Sequence, residues 1–163
     1  MELTQVLSRL EKSKEYFDWH KNHAKAFLAH AFVMLDEPNK DAWQLGYYDE
    51  QKNLMTTFII NKEVEAIPDQ EIMQTGQKIL ELKTEQVKTP ITEALALAEK
   101  TRMQNYPQEQ AAKSFFIIQN SEEYGATYNI TFFTATFKTI NIKISAVDGK
   151  ILHHSIQALV QFG

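Results

Sequence analysis

The second half of this chain repeats its first at an offset of 88 residues, and no other feature constrains the fold as tightly. Leu7, Glu11, Lys12, Ala24, Lys25 and Phe27 recur as Leu95, Glu99, Lys100, Ala112, Lys113 and Phe115, while Ser13 and Lys14 meet their chemical equivalents Thr101 and Arg102. The repeated stretch leads from an amphipathic helix into the start of a strand. A unit of about 85 residues buries only a thin core alone, so two such units are expected to lean on each other.

In the first copy Leu3, Val6, Leu7, Leu10, Ser13, Phe17, His20 and Ala24 fall on one helical stripe, and this helix is expected to be the longer of the two. In the second copy the stripe is Ile91, Ala94, Leu95, Ala98, Thr101 and Asn105. Thr89 stands as N-cap with Pro90 at the first helical position, and Pro107 ends the helix near Asn105. The period then changes. Ala26–Leu35 and Lys113–Asn120 are apolar runs of strand length, and Ala42–Tyr48 with Leu54–Ile60 reads as a hairpin. Thr127–Phe133 with Thr139–Ala146 is the equivalent pair, in which Ile140, Ile142 and Ile144 face one way and Asn141 and Lys143 the other. Asp148-Gly149 predicts a type I′ turn leading into a last strand, Ile151–Leu159.

Ala66–Pro90 joins the halves. A short helical turn is expected around Pro68-Asp69 and Ile72-Met73, ended by Gly76, with Lys78–Lys88 extended and packed through Leu80, Leu82 and Val87. The fold class expected is α+β: two tandem helix-plus-antiparallel-sheet units, residues 1–75 and 76–163, each helix lying on its own three- or four-stranded sheet.

The second unit resembles the PepSY domain family. The likeness rests on Ile91–Ala98 as the opening helix, Pro107 after it, the alternating strands Tyr128–Phe133 and Asn141–Ser145, and the ending Asp148-Gly149-Lys150-Ile151-Leu152. It covers Thr89–Ser155, with the first half as a diverged copy in which Asn61-Lys62 replaces the Asp-Gly turn and Pro107 has no counterpart. The resemblance implies a cystatin-like helix-on-sheet build, a non-enzymatic module, and a role in regulating peptidases. It also implies an exported or membrane-attached setting.

Composition narrows the function further. Hydrophobic residues at 44% and charged residues at 23% are ordinary for a globular protein. A net charge of −4 with no block of Lys and Arg argues against nucleic acid as partner. Cysteine is absent, which excludes disulfides, thiolate chemistry and cysteine-based zinc sites. No apolar run is long enough to span a membrane, and the N-terminal residues are charged and amphipathic, so a cytoplasmic protein is expected.

Candidate chemistry is sparse. Asp18, His20 and His23 are the nearest approach to a metal cluster, since His20 and His23 share a helical face, but a third and fourth ligand are not in sight. His153 and His154 are strand neighbours and should point to opposite faces. Glu63, Glu65, Asp69, Glu71, Glu122 and Glu123 sit in polar stretches where solvation accounts for them, and no nucleophile or phosphate-cradle motif occurs. Aromatic residues are the one surplus: Trp43, Tyr47 and Tyr48 on the first hairpin, and Tyr128, Phe132, Phe133 and Phe137 on the second. Trp43, Leu45 and Tyr47 share one face, with Tyr48, Gln44 and Gly46 opposite. Either Trp43, Tyr47, Tyr48, Tyr128 and Phe133 meet a ligand or partner, or they fill the core, the commoner fate of large aromatics. The function expected is therefore a non-catalytic binding or protein-interaction module without a cofactor, with a protein or peptide partner or a homodimer formed through sheet edges. The alternatives are a small-molecule carrier using the cleft between units and a peptidase regulator.

Overall fold

The computed structural model describes residues 1–36, 41–72 and 77–159. Two short helices open it, α1 (Leu3–Glu11) and α2 (Lys14–His20), followed by the strands β1 (Phe27–Met34), β2 (Trp43–Asp49), β3 (Leu54–Ile60) and β4 (Val64–Glu71). After a 3-10 turn at Thr84–Gln86 come α3 (Ile91–Asn105) and the strands β5 (Ala111–Ser121), β6 (Gly125–Thr134), β7 (Lys138–Ser145) and β8 (Ile151–Ala158). The protein is mixed α+β and mostly sheet.

The eight strands form one antiparallel sheet in the order β4-β3-β2-β1-β5-β6-β7-β8. The expectation of a separate sheet under each helix is thus corrected. The first strand of each half pairs with the other, Ala31 against Ile118 and Val33 against Phe116, so the two meanders fuse. Fusion satisfies two rows of backbone groups that separate sheets would leave as open edges.

All three helices cover one face. Leu3, Val6, Leu7 and Leu10 of α1 and Ile91, Ala94 and Ala98 of α3 are buried against Ala31, Val33, Leu45, Phe58, Ile118, Ile130, Ile140 and Ile142. Trp43 meets Phe116 edge-on at 5.8 Å, and Phe116 meets Tyr128 at 6.1 Å, so the junction between the halves is filled on this side. Leu82 of the connector is buried in the same core, and its N–H donates to Leu28 O at 2.8 Å. The opposite face carries no helix among the described residues.

Local differences from the sequence reading have local causes. The first helix breaks at Lys12-Ser13, where Ser13 Oγ accepts from Tyr16 N and caps α2. The turn that follows carries Phe17 off the apolar stripe to an exposed position, and buries His23 instead. Pro90 is itself the N-cap of α3, and the Ile91 N–H is taken at 3.1 Å by the carboxylate of Glu2 from the other half. Val64–Glu71 forms β4 where a helical turn was expected; Pro68 is tolerated there because an edge strand need not donate on its outer side. The Met73 and Gly76 part of that expectation lies outside the described residues. The β7–β8 turn is wider than type I′: Gly149 alone within it takes a positive φ, 75°, and its N–H donates to Ser145 O.

Candidate functional site

The helix-free face is built by strand alternation. Residues that alternate with the core positions turn outward: His30, Phe32 and Met34 on β1, Gln44, Gly46 and Tyr48 on β2, and Phe115 and Ile117 on β5. Phe32, Phe115 and Phe133 form a ladder across β1, β5 and β6, with ring centroids 5.3 Å and 5.7 Å apart. All three are partly exposed, and the ladder crosses the junction between the halves. Phe27 and Tyr48 make a second aromatic contact on this face at 5.8 Å.

Around His30, midway along β1, the surface is more polar. A depression of 420 Å³ is walled by His30, Met55, Gln119, the connector residues Gln77 and Lys78, and Glu122. His30 lies across Gly46 so closely that a Cβ there would stand 2.6 Å from its Nε2. Glycine is what lets the imidazole lie flat on the sheet. Burial pushes the His30 imidazole below its ordinary value, so the neutral ring is favoured. A second depression of 280 Å³ runs between β7 and β8, where Thr139, Asn141, Lys143, His153, Ser155 and Gln157 form a polar ladder.

Of the aromatic candidates, Tyr48 and Phe133 lie on the helix-free face. Trp43, Tyr47 and Tyr128 do not: at 3%, 6% and 0% exposure they are core, because their strand parity points them at the helices. Burial also raises the Tyr47 and Tyr128 hydroxyls well above the ordinary phenol, and Tyr128 donates to Thr89 O at 2.7 Å. Phe132 is likewise buried, under Arg102, while Phe137 is exposed at the β6–β7 turn with φ 60°.

His20 and His23 do not converge on a common point. His20 stacks on Tyr16, whereas His23 stacks on Trp19 at 4.8 Å and lies between two acceptors, Trp19 O and Asp69 Oδ2, each 3.0 Å from a ring nitrogen. Asp69 also accepts from Thr56 Oγ1, which in turn accepts from Trp19 Nε1 at 3.0 Å. Solvation is therefore not what holds Asp69; it ties α2 to the edge of the sheet. His153 and His154 do point to opposite faces, His153 beside Lys143 and His154 toward Tyr106 Oη at 2.7 Å, and both remain exposed. Other carboxylates hold structural partners. The Lys138 ammonium and the Thr136 hydroxyl keep Glu109 below the usual carboxylate range, and Lys14 does the same for Asp18.

No family model matches this chain, and no curated protein matches it. A solved structure does share its fold. The crystal structure of a "putative lipoprotein" from Clostridium difficile 630 superposes with a TM-score of 0.58 at 12% identity, covering 91% of this chain and 97% of that one. The likeness at that identity is one of fold.

The sequence reading missed Phe32 and Phe115 as outward residues, although parity within β1 and β5 carried the signal: Phe32 sits between the core residues Ala31 and Val33, and Phe115 precedes the core residue Phe116. It also missed the His30–Gly46 contact. Nothing in the order of residues places position 30 across from 46 until the hairpin register is known.

Proposed function

We propose that this protein is a non-catalytic interaction module whose contact surface is the helix-free face of the sheet. The observation that carries the reading is the Phe32–Phe115–Phe133 ladder, a contiguous aromatic strip with no described element over it. Aromatic side chains supply large contact area at low conformational cost, and they are enriched where one protein meets another. The reading includes an origin as two tandem PepSY-like units, 1–75 and 76–163. In support, α1 and α3 begin at Leu3 and Ile91, the same offset as the sequence repeat, and each is followed by four strands paired in order.

The test is site-specific photo-crosslinking in the host cell, with the crosslinker at position 115 and, as control, at exposed position 17 on the helical side. A discrete adduct from 115 that is absent from 17 supports the proposal. Equal labelling from both sites, or none from 115, overturns it. Fractionation of the same cells separates a cytoplasmic protein from one held at a membrane surface, the station raised by the neighbour's description.

A small-molecule carrier is the second reading, favoured by one observation: the depression beside His30 takes walls from both halves and from the connector. Native mass spectrometry of protein purified gently from its host tests it, a reproducible added mass lost in a Gln119→Trp variant being the supporting result.

A further inference from the structure

We infer that β8 pairs with the β8 of a second copy of this chain, closing a twofold dimer through one continuous antiparallel sheet. The inference goes beyond the helix-free face and stands whether or not that face has a partner.

The two edges of the sheet differ in kind. β4 carries Glu65, Pro68, Asp69 and Glu71, and an antiparallel copy of it centred on Pro68 would set Glu65 against Glu71. Proline, acidic charge and a register shift opposite Met55–Thr57 are the devices that keep an edge single. β8 has neither proline nor acidic charge, and its one register shift is confined to the Ile151 end, opposite Lys143–Ile144. Its eight residues, ILHHSIQA, include no proline and no Asp, Glu, Lys or Arg, and no described element pairs with its outer side.

The backbone of β8 is set to receive a strand. Leu159 N–H donates to Phe137 O at 2.9 Å. Bonded pairs alternate along an antiparallel ladder, so residues 153, 155 and 157 turn their amides to β7 while His154 and Ile156 turn theirs outward. In a copy paired about Ser155, His154 of each strand exchanges bonds with Ile156 of the other. His153 then faces Gln157, and no two charged side chains oppose each other.

The apolar surface agrees. Seven large apolar side chains stand exposed among the described residues, and four of them flank this strand: Ile151 and Leu159 at its ends, Val147 in the turn before it, and Phe137 beside Leu159. Antiparallel pairing brings the Ile151 end of each copy beside the Leu159 end of the other and covers both. Pairing β8 with the β4 of another copy would leave free edges and build an open chain; pairing β8 with β8 leaves only the two protected β4 edges and closes.

Sedimentation equilibrium on the full chain is the test, since the dimer has twice the 18.9 kDa mass. Ser155→Lys sets two ammonium groups against each other on the helix-free side without touching the core, and Gln70→Lys on β4 is the control. The expected result is a dimer for the parent and for Gln70→Lys, with dimerisation weakened about tenfold or more by Ser155→Lys. A parent that stays monomeric at about 100 µM, well above the concentration at which useful edge pairing acts, overturns the inference. So does a Ser155→Lys variant that assembles as the parent does. If that variant fails to fold, hydrogen exchange of the parent decides instead. Protection of the His154 and Ile156 amides must rise with protein concentration, and protection independent of concentration overturns the inference equally.

Discussion

Gly46 and His30 show how one residue's lack of a side chain makes room for another to be buried. The imidazole lies against the sheet where a methyl group would collide with it, and burial there favours its neutral form. Gly46→Ala is expected to cost about 1–3 kcal/mol by denaturant titration, although alanine suits a strand better than glycine. Most of that cost should vanish in a His30→Ala background, giving a coupling energy of at least about 1 kcal/mol in the double-mutant cycle. The pH dependence has a definite sign. With its folded value below the ordinary 6.5, His30 takes up a proton in the unfolded chain before it does in the folded one. Its contribution is present above that pH and is lost as pH falls below it. His30→Gln should therefore flatten the decline of the urea midpoint as pH falls below about 6.5. None of this was legible from composition. His30 reads as one polar residue in an apolar run, and only the pairing of β1 with β2 puts it over Gly46.

Elements were legible where a periodic pattern met a strong terminator. α3 ends at Asn105 ahead of Pro107, and the alternating isoleucines of β7 are buried as their parity requires. Two elements were not. The apolar stripe through His20 implies one long helix, but Ser13 Oγ accepts from the Tyr16 N–H, which ends α1 and starts α2. β4 carries Pro68, Asp69 and Glu71, residues that local preference keeps out of strands; it is a strand because β3 pairs with it on both sides of the register shift at Met55–Thr57. Asp69 secures that choice by accepting from Thr56 on β3 and holding His23 after α2. Asp69→Ala should cost about 1–3 kcal/mol, since it strands two donors. The loss should be local: native-state hydrogen exchange is expected to speed up in α2 and β4 and to stay unchanged in β6 and β7.

At the scale of the molecule, the repeat predicted two helix-and-meander halves but not their fusion, because either edge of each meander could have met the other. What joins them is one core with Leu82 of the connector inside it. Leu82→Ala should cost about 2–5 kcal/mol and lower both halves together. Tryptophan fluorescence reports only on Trp19 and Trp43 in the first half, while amide exchange in β7 reports on the second. The two should give one shared transition, and separate transitions would show that the halves unfold independently. The same fusion sets a timetable. β1, the first of the eight described strands to be made, is complete at residue 34, but the partner on its second side is not complete until residue 121. At ordinary synthesis speeds that interval lasts roughly 4–17 s. For that time the strand destined for the centre of the sheet is an unpaired border of a nascent chain, and no other described strand with two neighbours waits so long for its second.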